Sequence, residues 1–258
     1  AACLAAVCGK TVIYQSHGLE WKRTKYTPRQ QKIMKFMEWL TVKMMKNITA
    51  VSQEQTDYFL TEYSKRCVTI PTAVNLPAGN YESNILKKFN LEEEGYYLYL
   101  GRLVQDKNPD YLIKAFKKSG IKGKKLVVAG SNDADSQYVE YLHQLGAENP
   151  NVIFTGAVYG DDKEMLLSKC FAFCLPSTLE GLPITLLEAM SHKRICLASN
   201  IPANKEALGD SGVWVQYEDV DDLCDKLLHI LKNYKDLEIQ KEANYRRVVE
   251  KFTWDRVS

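Results

Sequence analysis

The chain of 258 residues is 45% apolar, 26% charged and 10% aromatic, a globular composition that excludes disorder, collagen-like repeats and low complexity. Its 34 basic and 32 acidic side chains leave a net charge of only +2, so a general nucleic-acid binder with a basic surface throughout is not expected. The length suits one large domain or two modest ones, with room for a cleft.

The opening AACLAAVCGK has a short apolar stretch but no initiating Met and no basic lead, so it does not read as a signal peptide. It has the pattern of a helix tail entering a strand, as if the chain began inside a domain. Residues 11–16 are β-branched and aromatic and stop at His17-Gly18, which predicts a strand and then a loop. From Lys10 to Lys46 nine basic residues face two acidic ones, a local balance of +7 that leaves −5 for the rest of the chain. Within this stretch Ile33, Phe36, Met37, Leu40 and Met44 recur at helical spacing, with Lys32, Lys35, Lys43 and Lys46 mostly elsewhere on the wheel, so a basic amphipathic helix is expected over 29–46. Either its lysines, with Lys22, Arg23, Lys25 and Arg29, meet an anionic membrane surface or a lipid-diphosphate acceptor, or the apolar stripe is core and the lysines are its solvated face.

A strand at 47–52 follows, and Ser52 is placed to cap a helix from Gln53 to Lys65. Another short strand covers 68–70, and turn formers collect between Pro71 and Asn80, the expected linker. A second series then places strands at 96–100, 125–129, 152–154, 171–175, 195–198 and 213–215. Helices are expected near 108–118, 135–146, 161–168, 184–192, 203–208 and 219–233. Short, almost wholly apolar strands alternating with helices imply parallel sheets covered on both faces, hence a two-domain α/β protein.

The seven cysteines form no CxxC pair and mostly sit in apolar runs, as buried thiols of a reducing compartment do. Four histidines, none paired at ligand spacing, make a zinc site unexpected. No apolar run approaches the roughly 20 residues of a membrane span. Both GxGxxG and the P-loop pattern are absent, which removes the main signal for a dehydrogenase or P-loop kinase.

Chemistry is expected in the loops beyond the carboxyl ends of the strands. Arg102 and Lys107 follow the strand at 96–100 and could grip one diphosphate, unless they are ordinary solvated cations. Glu180 follows the strand at 171–175, and Glu188 lies eight positions on, in the helix that starts near Pro183. Carboxylates beside free helix N–H groups suit sugar and ribose hydroxyls; the alternative is a first-turn Glu on the helix dipole and an outward helical Glu.

GRLVQDKNPDYLIKAF, KLVVAGS, VIFTGAV, CLPSTLEGLPITLLEAM and KFTWDRV occur in the order and at the intervals of the retaining glycosyltransferases of GT-B family 4, and the chain resembles that family over most of 96–258. The Glu180-x7-Glu188 element is the most specific part. HGLEWKR, NITAVS and the Ile70-Pro71 junction resemble the acceptor-side domain, particularly that of rhamnosyltransferase-like polysaccharide enzymes. The resemblance implies two Rossmann-like doubly wound parallel-sheet domains. Residues 1–74 would be the remnant of an incomplete N-terminal acceptor-side domain, and 75–258 the nucleotide-sugar domain. It also implies a chain truncated at both ends, lacking a preceding glycine-rich loop and the end of a returning C-terminal helix. The junction reads Pro71-Thr-Ala-Val74 where the family usually has Pro-Asn-Gly-Val.

By the same resemblance Arg102, Lys107 and the Thr185 amide would hold the donor diphosphate, and Glu180 would lie by the transferred sugar with Gly181 and Leu182. Glu188 would hold the ribose, the Val158 backbone would meet the base, and His17 would face sugar and acceptor. The implied activity is transfer of a hexosyl residue from a nucleotide-sugar to a saccharide or lipid-linked acceptor with retention, in polysaccharide or glycolipid biosynthesis. It would take place on the cytoplasmic side, peripheral to the inner membrane face, with no cofactor or metal and no nucleic-acid partner. The competing expectations are a nucleotide-sugar epimerase or phosphorylase of the same architecture, and a noncatalytic sugar-nucleotide binding module.

Overall fold

The computed structural model describes residues 11–131 and 135–257; the expected helix tail in the opening decapeptide, with Cys3 and Cys8, lies outside the described residues. Strands β1 (Ile13–Ser16), β2 (Asn47–Ala50) and β3 (Val68–Thr69) form a parallel sheet in that order. Helix α1 (Pro28–Met44) joins β1 to β2 and begins in a capping box. Thr27 accepts from the Gln30 N–H and the Gln30 side chain accepts from the Thr27 N–H, with Pro28 in the first turn. Helix α2 (Gln53–Tyr63) starts where expected, with Ser52 Oγ accepting from the Gln55 N–H.

The small core beneath this sheet is Val42, Met45, Ile48, Ala50 and Phe59. Of the apolar stripe of α1 only its last member, Met44, packs against this core, while Ile33, Phe36 and Met37 are 62%, 57% and 51% exposed. The reading of that stripe as core is therefore corrected for Ile33, Phe36 and Met37 and holds for Met44. Val42, on another side of the helix, and Met45, just after its end, already fill the space over the short sheet.

The second unit holds six strands: β4 (Tyr96–Leu100), β5 (Lys125–Ala129), β6 (Val152–Gly156), β7 (Ala172–Leu175), β8 (Ile195–Ser199) and β9 (Val213–Val215). All pairs are parallel, in the order β6-β5-β4-β7-β8-β9, the doubly wound arrangement with its reversal between β4 and β7. The pleat of β4 explains its unbroken apolar letters. Tyr96, Leu98 and Leu100 enter the core on one face of the sheet and Tyr97 and Tyr99 the core on the other. The buried phenols are satisfied, since Tyr96 donates to the Leu166 carbonyl at 2.9 Å and Tyr97 to that of Leu227 at 2.8 Å.

Between the strands run α4 (Pro109–Ser119), α5 (Ser136–Ala147), α6 (Gly160–Lys169), α7 (Ile184–Ser191), α8 (Pro202–Leu208) and α9 (Val220–Lys232), preceded by the short α3 (Ile85–Lys88). The chain ends in α10 (Glu238–Lys251) and α11 (Trp254–Val257). Periodicity missed α10 because EIQKEANYRRVVEK is polar nearly all round and buries only Asn244 and Val248. After α10 the chain meets the linker, where the Val74 N–H donates to the Phe252 carbonyl at 2.8 Å. Ala73 is buried there with a negative φ, so this turn does not require the glycine usual in the family.

Candidate functional site

The loops that leave β4 and β7 lie side by side at the reversal of the second sheet, where an open α/β fold offers a crevice. They are stitched together. Asn108 Nδ2 donates to the Pro176 carbonyl at 2.9 Å, and the Thr178 N–H donates to the Asp106 carbonyl at 2.9 Å. Asn108 takes a φ of 51° between a short 3-10 turn (Gln105–Lys107) and α4, a left-handed conformation that Asn tolerates better than most residues.

This stitching brings Lys107 to Glu180. The ammonium donates to Glu180 Oε1 at 2.5 Å, with side-chain exposures of only 16% and 6%. Beneath them Tyr99 donates its hydroxyl to the Arg102 carbonyl at 2.8 Å. Burial pushes that phenol far above its ordinary value, the Glu180 charge adds to the rise and Arg102 opposes it. Glu180, Lys107 and Arg102 thus gather around one end of β4. The Arg102 side chain is exposed and lines a cleft of about 490 Å³ with Arg23, Lys25 and Gln105, whereas Lys107 gives one of its three N–H donors to Glu180.

Helix α7 begins at Pro183 with no side-chain cap, and the Leu186 and Leu187 N–H groups both turn back to the Pro183 carbonyl. The Thr185 N–H ahead of them is left without an intrahelical acceptor, the usual situation of a first-turn donor and a favourable one for an anion. Leu182 is buried in the core and anchors the loop. Gly181 meets the other unit: a Cβ built on it would stand 2.1 Å from the His17 carbonyl oxygen, so no larger residue fits without moving one of the two backbones. His17 follows β1, and its imidazole is exposed.

Glu188 does not share the Lys107 pair. Its carboxylate accepts from Lys163 of α6 at 2.6 Å, and Lys163 also meets Glu164 at 3.0 Å. Glu164 in turn lies 2.7 Å from His192 Nε2, and this contact draws the Glu164 carboxyl below its ordinary value. Val158 follows β6 and packs its half-buried side chain against the core, leaving its backbone at the loop into α6.

Sequence reasoning did not find Asp106, Asn108, Tyr99 or Lys163. Asn before Pro109 is a recognisable turn signal, but Lys163 sits in a polar first turn with nothing to mark it. Asp106 also ties the units together, its Oδ1 accepting from the Thr24 N–H at 3.1 Å and the Thr24 hydroxyl at 2.6 Å. Among the described residues no cluster of three or more His, Cys, Asp or Glu side chains is arranged to hold a metal ion, and no helix is long and apolar enough to cross a membrane.

The family model for "Glycosyl transferases group 1" matches residues 82–247, well over half of the chain and all six strands of the second sheet. The chain belongs to this family. It is 29% identical over 170 residues to an uncharacterized glycosyltransferase of Methanocaldococcus jannaschii, covering 65% of this chain and 43% of that protein. To the Escherichia coli O-antigen chain mannosyltransferase B it is 27% identical over 176 residues, covering 66% and 45%. It therefore spans a little under half the length of these curated relatives. A longer match, 25% identical and covering 98% of this chain and 67% of the relative, is to the E. coli UDP-Gal:alpha-D-GlcNAc-diphosphoundecaprenol alpha-1,3-galactosyltransferase. The fold is that of GT-B glycosyltransferases, shared with Anabaena HepE in complex with UDP-glucose at a TM-score of 0.85 and 14% identity, over 99% of this chain and 72% of that one.

Proposed function

We propose that this group 1 glycosyltransferase moves a hexosyl residue from a nucleotide-sugar to a saccharide or lipid-linked acceptor, with retention, in polysaccharide or glycolipid synthesis. Residues 1–74 would belong to the acceptor-side domain and 75–258 to the donor domain. The observation that carries this reading is the Lys107–Glu180 pair at the sheet reversal, within one loop of the His17–Gly181 contact between the units. A donor diphosphate gains negative charge as its bond to the sugar lengthens. Cations and amides already aimed at it stabilise that transition state more than the ground state. Arg102, Lys107 and the Thr185 N–H supply such groups, so positive charge comes from the chain itself.

Glu180, held by Lys107, lies by the transferred sugar with the Gly181 and Leu182 amides. Neutralised in this way it is a weak nucleophile, which favours reaction on a single face, with the leaving phosphate taking the acceptor proton, over a double displacement. Glu188, with one oxygen on Lys163, keeps the other for ribose hydroxyls, and the Val158 backbone faces the base. His17 faces sugar and acceptor.

The exposed stripe of α1 with its lysines serves as a contact with an anionic membrane surface on the cytoplasmic side. Thermal melting against UDP, GDP and dTDP and their hexose conjugates tests the donor site: a ligand at 100 times its Kd adds about 2.7 kcal/mol. Transfer to added saccharides by the intact protein then tests the reaction. Turnover of the donor without any acceptor would point instead to an epimerase, and stabilisation without turnover to a binding module.

A further inference from the structure

Gln55 is the carboxamide, among the described residues, whose Nε2 and Oε1 are both buried without a hydrogen-bond partner, and it is only 3% exposed. Such groups are rare in folded proteins because burial strips their water and gives nothing back. Its place is well defined. Gln55 stands in the first turn of α2, its own N–H capped by Ser52. The same helix end is docked on the second unit by the Gln53 N–H, which donates to both oxygens of Glu206 at 2.8 and 2.9 Å. A Cβ on Gly181 would lie 3.2 Å from Gln55 Nε2, just as it would crowd the His17 carbonyl. The unpaired carboxamide therefore borders the loop that follows Glu180, at the seam between the two units.

We propose that Gln55 is a sugar-recognition residue of the donor site, its carboxamide binding two adjacent hydroxyls of the transferred sugar. A carboxamide offers N–H donors on one side and a carbonyl acceptor on the other, and a vicinal diol answers both at once. A sugar entering between His17 and Gly181 parts the two backbones and supplies the partners Gln55 lacks. With no Cβ at Gly181 the two backbones pack closely over the carboxamide, so binding there requires the two units to separate. This assignment rests on the donor-site reading above, and it places one determinant of sugar choice on the N-terminal unit.

The experiment compares wild type with Gln55→Leu, which keeps the volume but removes both polar atoms, and with Gln55→Met as a second apolar replacement should the first fail to fold. Each is titrated with UDP, GDP and dTDP and with their hexose conjugates, following the melting temperature. The ligand-free variant is expected to melt higher than wild type, because it buries no unpaired amide. Its affinity for the free nucleoside diphosphate is expected to be unchanged, while the preference of wild type for the matching sugar conjugate falls about tenfold, the loss of one to two hydrogen bonds. A variant that keeps the full preference for the conjugate overturns the role of Gln55 alone. A wild type indifferent to every nucleotide and conjugate overturns the donor site with it.

Discussion

Lys107 and Glu180 have little water to share, so their attraction and their desolvation are both large. Lys107→Ala removes the cation and leaves the Glu180 charge bare. It is expected to cost about 3–5 kcal/mol of stability and, separately, about a hundredfold in transfer through loss of diphosphate neutralisation. Adding Glu180→Gln removes the bare charge and should restore the melting temperature, which isolates the stability effect; the rate effect is read from Lys107→Ala alone. Wild-type turnover in Lys107→Ala would remove the diphosphate role. Glu164 gives a pH signature. Its carboxyl is held below the ordinary 4.5 first by the His192 hydrogen bond and then by Lys163, with burial opposing. A lowered carboxyl contributes stability above its unfolded value and loses it as pH falls through the folded one. Glu164→Gln should therefore melt below wild type at neutral pH by roughly 1 kcal/mol, with the gap closing below about pH 4.5.

At the scale of elements, the strands of the second unit were legible to within a residue or two because β-branched and aromatic runs buried on both faces leave little choice. Helix α1 was legible as a helix and not in its orientation. Periodicity finds Ile33, Phe36 and Met37 on one line, yet Val42 and Met45 make the core contact, and nothing in the spacing ranks one apolar side above the other. The stacked pair Phe36–Trp39, with rings 5.5 Å apart and Lys43 over Trp39, gives the exposed face apolar and cationic character together. Phe36→Ser with Met37→Ser should leave stability within about 0.5 kcal/mol and weaken sedimentation with anionic vesicles. Replacing Lys32 and Lys43 by Gln should weaken it further and blunt its sensitivity to salt. Binding indifferent to all four changes and to salt counts against the membrane contact.

For the molecule as a whole, the two units are very unequal. The three-stranded sheet covers a handful of buried side chains, whereas the six-stranded sheet has a large core on each face. The smaller unit is expected to lean on the larger through Thr24–Asp106, Gln53–Glu206 and His17–Gly181. Asp106→Ala deletes the acceptor of two Thr24 hydrogen bonds, about 1–3 kcal/mol if both are lost. Hydrogen exchange should rise across residues 13–70 and remain slow in β4, β5 and β7. Uniform acceleration of both units would mean instead that they unfold together. The thiols of Cys170, Cys174 and Cys196 lie within the larger unit, and burial raises all three, Cys170 to about 12, so they should resist alkylation until that unit opens.

By itself the sequence determined the parallel α/β class, the alternation of its elements and the Glu180-x7-Glu188 signature, because each depends on neighbours within a turn or a strand. Only the tertiary structure decided that Lys107 closes on Glu180 across 73 positions, that Glu188 answers to Lys163, and that the Gln55 amide is left without a partner beside Gly181. Those meetings follow from β4 lying next to β7 and from the docking of one unit on the other. Strand order and docking are settled by the burial of whole faces, which no local run of letters can express.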